Sequence, residues 1–304
     1  MDEAVYILSH LEDLAKAIVE NLYTANKGLW DRYGQEGKQK ALQDTVYHLQ
    51  YLAEAIKAEE PSFFQQYTGW LKTLFTGLAL PPSTLEKTLF SIVVVLEKAL
   101  PKANGMAISY LNTALDYIKQ APEEPPSFLT GDSPLEKLAR QFLHHLLAGE
   151  KEAAFTLIRE TFQQGTSLKD LYLNVFQRTQ REIGRLWQLN RISVAQEHFC
   201  TAATQQIMAF LYPYVFRGGN KTKRILIACI GKELHEIGAR MVADFFELEG
   251  WDSYFIGANT PSESLLRMVQ DKKPDIVGLS VTLLVHLEEL YSLIPRLRTI
   301  HPGM

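Results

Sequence analysis

Cysteine is nearly absent: Cys200 and Cys229 are the only two among 304 residues. They supply no disulfide framework, so a reducing cytoplasm is the default compartment. Long apolar runs are missing too. The longest, Phe90 to Leu96, falls far short of the ~20 residues that cross a bilayer, which gives no basis for a membrane role. The opening Met1-Asp-Glu-Ala has no basic stretch before an apolar core, so nothing points to export. Excess positive charge is also lacking. A net charge of -4 and a pI near 6.1 argue against a broad nucleic-acid surface, and direct nucleic-acid binding is not expected. What remains, 46% hydrophobic and 22% charged residues, is the balance of a folded soluble protein long enough for two domains or three small ones.

Residues 1–121 read as helix almost throughout. Turn signals near Asn26-Lys-Gly, Glu59-Glu-Pro-Ser, Pro81-Pro-Ser and Leu100-Pro-Lys divide them into about five helices. The basic residues Lys27, Arg32, Lys38, Lys40, Lys57 and Lys72 are scattered rather than gathered on a recognition helix. Aromatics are dense here: Trp30, Tyr33, Tyr47, Tyr51, Phe63, Phe64, Tyr67, Trp70 and Phe75 either fill a core or line the pocket of a flat ligand. On one helix, Ala41 to Ala58, Asp44 and His48 interrupt the apolar pattern. The run Asp44-Thr-Val-Tyr-His48-Leu-Gln-Tyr51, followed by Phe64-x-x-Tyr67-x-x-Trp70, resembles the globin-like helical domain of photocobilin light sensors. That resemblance implies a bilin, such as biliverdin, near His48, Asp44 and Tyr51. With no cysteine before Cys200, a bilin in this domain is noncovalent. On ligand chemistry alone, haem through His48 or His10 stays open.

Residues 122–133, rich in proline, read as a linker. Ser133-Pro-Leu-Glu136 then opens a helix with an N-cap serine, a proline at the first position and a glutamate three residues after the cap. Helices over about 134–148, 151–164, 167–189 and 192–216, punctuated by Gly149, Gly165 and Ser193, predict a four-helix bundle over 134–217. From 221 the pattern alternates: strand Ile225 to Ile230, helix 237–249, strand Ser253 to Ile256, helix 262–272, strand Ile276 to Val281 and helix 286–300. This is a Rossmann-like, doubly wound α/β domain, and the fold class is α + α/β. The domain, 221–304, stops at Met304 just before another strand is expected and reads as incomplete at its C-terminus.

A loop at the carboxyl end of a parallel strand is where such sheets hold ligands, and the one after Ile230 contains Glu233-x-His235-x-x-Gly238. A neutral imidazole is a good cobalt ligand. A carboxylate on its other nitrogen fixes the tautomer, and a glycine removes the Cβ that would obstruct close approach. This spacing resembles the cobalamin-binding motif of the corrinoid-protein superfamily. The resemblance implies that His235 is the lower axial ligand of cobalt, and that Ser280 and Thr282, closing the third strand, border the displaced nucleotide tail. Taken alone, Ser280 also reads as a strand-end cap. Upstream, Trp187 is followed after nine residues by Glu197-His198, similar to the motif of light-sensing adenosylcobalamin receptors. There a helical cap covers the upper face of the corrin, which places Trp187 over the adenosyl group with Glu197 and His198 close by. Some of those receptors have histidine directly after the tryptophan. Gln188 stands here instead, and an amide is a poor ligand for Co(III), leaving water or His198 to serve after light.

The resemblance thus implies a cytoplasmic, light-responsive adenosylcobalamin-binding regulator. Its output would pass by contact with an unidentified downstream protein or between protomers of a homo-oligomer. The rival reading is the corrinoid shuttle of a methyltransferase system, against which Trp187-x9-Glu197-His198 and the N-terminal block both speak. A mutase subunit would need a substrate barrel that is not seen. No catalytic nucleophile or acid/base pair stands out, so the chain is not read as an enzyme. His286 and His301 read as surface residues without a role.

Overall fold

The structure, a computed structural model, describes residues 2–100, 105–216 and 221–303, apart from the side chains of residues 29–31. The Pro101-Lys102 turn signal, the Trp30 side chain and the terminal Met304 lie outside this set. The chain divides into two compact units, Met1–Pro125 and Pro126–Met304. No helix among the described residues is long and apolar enough to cross a membrane. Both cysteines are free and buried.

The first unit is all helical: α1 Glu3–Ser9, α2 Leu11–Ala25, α3 Gly28–Lys57, α4 Pro61–Gly77, α5 Thr84–Ala99 and α6 Met106–Gln120. Among the described residues it has one helix more than the turn signals implied, because His10 separates α1 from α2 without proline or glycine. Helix α3 absorbs the expected 41–58 segment and kinks at Gly34, whose φ of 56° is open to glycine. Apolar stripes at helical spacing pack Leu49, Leu52 and Ile56 against Phe64, Leu89, Ile92, Leu96 and Leu111. Polar side chains close the ends of α6. The Ala107 N–H donates to the buried Glu3 carboxylate at 2.8 Å, and Lys72 Nζ donates to the carbonyls of Ile118 (2.7 Å) and Ala121 (2.5 Å).

The second unit opens with a strap. Phe128 donates its N–H to Glu182 and accepts from Arg178, while Arg140 donates to the carbonyls of Leu129 and Gly131, so residues read as linker are laid onto the bundle. The bundle comprises α7 Pro134–Leu147, α8 Lys151–Gln163, α9 Leu168–Asp170, a π-helical segment Leu171–Phe176, α10 Gln177–Gln188 and α11 Val194–Leu211. Capping boxes form at Ser133 with Glu136 and at Ser193 with Gln196. Gly149 and Gly165 both take positive φ at the joints. The expected 167–189 helix is continuous in space but widens into the π segment.

Three parallel strands follow, β1 Arg224–Ile230, β2 Asp252–Thr260 and β3 Ile276–Ser280, in the order β2-β1-β3. They alternate with α12 Ile237–Leu248, α13 Ser262–Lys272 and α14 Leu287–Ile300. The doubly wound start is as expected, with two differences. Strand β2 runs four residues past Ile256, through a register shift opposite Ala228 that accommodates Gly257 at φ 93° and Asn259 at φ 48°. A 3-10 turn, Leu284–His286, precedes α14. The two layers are docked by α12: Met241 is part of the bundle core, Ile237, Phe245 and Leu248 pack against it, and Tyr172 of the π segment donates its hydroxyl to Asp244 at 2.8 Å.

Candidate functional site

Strand order reverses between β2 and β3, which flank β1, so a crevice opens at the carboxyl ends of β1 and β3. The loop leaving β1 turns at Gly231, whose φ of 62° favours glycine and whose Cα faces the Glu289 carboxylate. It then places Glu233 in the crevice floor with a side chain 1% exposed. Glu233 Oε1 accepts the His235 backbone N–H at 2.9 Å and lies 2.5 Å from His235 Nδ1; Oε2 accepts the Thr282 N–H at 2.6 Å. Burial alone would raise the Glu233 pKa. The N–H groups of His235 and Thr282 and the His235 ring outweigh it and lower the value to about 2.

An ionised carboxylate only accepts, so Nδ1 of His235 carries a proton, and in the neutral imidazole the lone pair is then on Nε2. The ring itself is 64% exposed. Its donor is therefore oriented from below and open above. No group of three or more His, Cys, Asp or Glu able to hold a metal ion occurs among the described residues. One oriented imidazole suits a metal that brings its other ligands with it, as in a macrocycle.

Gly238 stands in the first turn of α12, and a Cβ built there meets no protein atom within 4 Å. Ser280 ends β3 opposite Cys229, whose thiol donates to the His235 carbonyl at 3.7 Å and whose pKa burial pushes up to about 11. Thr282 contributes its backbone N–H to Glu233, a role that residue type does not announce. His286, read as a surface residue, is instead 13% exposed, with Nδ1 3.6 Å from Glu233 Oε2 and no hydrogen-bond partner. His286 ends the 3-10 turn Leu284–His286, and its Cβ lies close to the Gly231 turn of the same site. The only sequence signal for it was its place just beyond a strand's carboxyl end. His301 is likewise tied in, through Nε2 at 3.0 Å from the Pro274 carbonyl.

On the bundle, Trp187 is partly buried against the core near the end of α10, and Gln188 beside it is buried. Glu197 Oε1 accepts the Thr201 hydroxyl at 2.9 Å, and His198, 75% exposed, lies 3.5 Å from Glu197 Oε2. Farther along α11, Gln205 Nε2 donates to Glu236 Oε1 at 2.6 Å, in the loop of His235. In the first unit His48 is buried, 2.7 Å from the Tyr67 hydroxyl, and burial lowers its pKa to about 4. Tyr51 stacks on Tyr67 at 3.9 Å, Asp44 is exposed, and His10 is an exposed residue stacked on Tyr6.

Comparison with known proteins adds the cofactor class. Residues 223–304 match a family model described as a B12 binding domain, and residues 138–212 match a second model of that description. The HTH-type transcriptional repressor CarA of Myxococcus xanthus is 30% identical over 90 residues, 30% of this chain and 31% of CarA. The HTH-type transcriptional repressor CarH of the same organism is 28% identical over 121 residues, 40% of each. The chain thus spans well under half the length of these curated relatives. The monomethylamine corrinoid protein of Methanosarcina barkeri is a structural neighbour with a TM-score of 0.47 and 16% identity, over 54% of this chain and 78% of that one. Residues 138–212 of the bundle and 223–304 of the α/β domain carrying Glu233 and His235 thus each match a B12 binding domain, which supports a cobalamin cofactor.

Proposed function

We propose that the second unit holds adenosylcobalamin between its bundle and its α/β domain as a light-responsive regulator, with Nε2 of His235 as lower ligand to cobalt. The observation that carries this reading is the His235 Nδ1 to Glu233 contact of 2.5 Å, which leaves a single exposed, oriented ring nitrogen. Gly238 supports it. Glycine in a helix costs about 1 kcal/mol relative to alanine, and no protein neighbour demands it here, so the demand falls to what docks against that turn.

When bound, adenosylcobalamin supplies a cobalt–carbon bond that light breaks. Glu233 keeps His235 in the ligating tautomer, and Ser280 and Thr282 border the nucleotide tail. Trp187 offers an indole face to shield the upper side, Glu197 accepts from ribose hydroxyls or the adenine amine, and His198 is the exposed imidazole at hand once the upper position opens. Gln188, buried and an amide, does not take that place. The regulator acts through contacts with another protomer or a downstream protein. The first unit is globin-like in this reading and adds a noncovalent bilin input around His48, Asp44 and Tyr51, or serves as the output surface. The dense Tyr51, Tyr67 and His48 cluster supports an aromatic ligand beside it.

The test is to incubate the full chain in darkness with adenosylcobalamin, methylcobalamin or biliverdin, remove free ligand and illuminate. Retained adenosylcobalamin whose alkyl spectrum is replaced under light by that of a cobalamin lacking the cobalt–carbon bond, at a rate changed severalfold by Trp187→Ala, is the expected result. Preference for methylcobalamin with indifference to Trp187→Ala would instead assign a methyl carrier.

A further inference from the structure

Glu236 follows the axial histidine candidate and is the N-cap residue of α12, yet its side chain makes no capping hydrogen bond to that helix. An N-cap side chain normally accepts from the N–H groups two or three residues on. Here the carboxylate is diverted to two other elements: Oε1 accepts from Gln205 Nε2 at 2.6 Å and Oε2 from the Ala258 N–H at 2.9 Å. The Ala258 donor is presented by the positive-φ pair Gly257 and Asn259, and the Asn259 N–H also donates to the Glu233 carbonyl at 2.9 Å. The loop holding His235 is thereby pinned to β2 from one side and to α11 from the other.

Helix α11 carries more than Gln205. Glu197, Thr201 and Gln205 are spaced four residues apart and form one stripe, with the single proton of the Thr201 hydroxyl shared between the acceptors Glu197 Oε1 (2.9 Å) and Gln180 Oε1 of α10 (3.3 Å). Eight residues of helix make a rigid rod of ~12 Å. A displacement of Glu197 and His198 at one end is a displacement of Gln205 at the other.

We propose that Glu236 is a positioning residue that couples the two faces of the cofactor site: through Gln205, the position of α11 sets the position of the His235 loop. The inference rests on the reading of His235 as axial ligand and deepens it. An upper-face event that shifts α11 loads or releases the Gln205–Glu236 bond, and the hold of His235 on the metal changes with it. Conversely, ligation by His235 biases α11.

The donor and acceptor roles can be exchanged. Gln205→Glu sets two carboxylates against each other; adding Glu236→Gln restores an amide–carboxylate pair with the roles reversed. On the full chain, two quantities are read. One is the ratio of His-on to His-off adenosylcobalamin in darkness, from absorption. The other is amide exchange at Ala258 and Thr282 without cofactor. Gln205→Glu is expected to lower the ratio about tenfold and speed Ala258 exchange by a similar factor, with Gln205→Ala weaker in the same direction and the double variant near wild type in both. A changed melting temperature with the ratio and the exchange rates unmoved, or no recovery in the double variant, overturns the coupling. If the wild-type chain takes up no cobalamin, the proposed function fails. The exchange rates then still decide whether Gln205 holds the loop: unchanged rates in Gln205→Glu overturn the tie, and faster rates restored in the double variant support it.

Discussion

At the scale of single residues the site turns on Glu233, a carboxylate with three donors and almost no contact with water. Its pKa is lowered from 4.5 to about 2, so the unfolded chain binds the proton first as pH falls. The stabilisation, about 3 kcal/mol from that shift, is fully present above pH ~4.5 and is lost as pH falls towards 2. Glu233→Gln is therefore expected to flatten the acid limb of a stability profile between pH 5 and 2, measured by denaturant titration at each pH. It should also weaken cobalamin binding by about 10- to 100-fold, the usual effect of removing a partner that orients a metal-binding histidine. Glu233, His235 and Gly238 stood out as a motif because they fall within six residues, running from the loop after β1 into the first turn of α12. His286, Gln205 and Glu236 were not. They meet the loop from elements remote in sequence, or through a bond whose partner no local pattern names, and Thr282 acts through its backbone.

Among elements, the π segment 171–176 is the one the sequence conceals. Its apolar residues fit an α-helical stripe equally well, since a π turn costs one extra residue per turn and leaves no composition mark. Its effect is local: it carries Tyr172, buried, to Asp244 of α12, where burial raises the Asp244 pKa above its ordinary value and the hydrogen bond from the Tyr172 hydroxyl partly offsets that rise. Tyr172→Phe strands a buried carboxyl group and should lower stability by about 1–3 kcal/mol, read from urea unfolding. Because this bond joins the bundle to the α/β layer, the same variant should also speed cofactor loss. The cap at Ser133, in contrast, was readable outright, since a serine three residues before Glu136 is a local signal, whereas Ser193 marked only a helix start and its box with Gln196 is seen in the structure; Ser133→Ala should cost about 1 kcal/mol. The second strand read short because glycine and asparagine near its end look like a turn, whereas the sheet accommodates both at positive φ.

For the whole molecule, two units with separate cores predict separable behaviour. Residues 126–304 made alone should fold and bind cobalamin within about threefold of the full chain, measured by equilibrium dialysis; a loss beyond tenfold would make the first unit part of the site. The alternation of strands and helices after 221 was legible because each element keeps one period, whereas the identity of the first unit was not, as its aromatics serve a core as well as they would serve a ligand. The most direct measurement compares wild type and His235→Ala, each loaded with adenosylcobalamin in darkness and freed of excess ligand. The account predicts a retained His-on spectrum in the wild type, and in the variant a His-off spectrum or little retention. Coincident spectra with equal retention would contradict it.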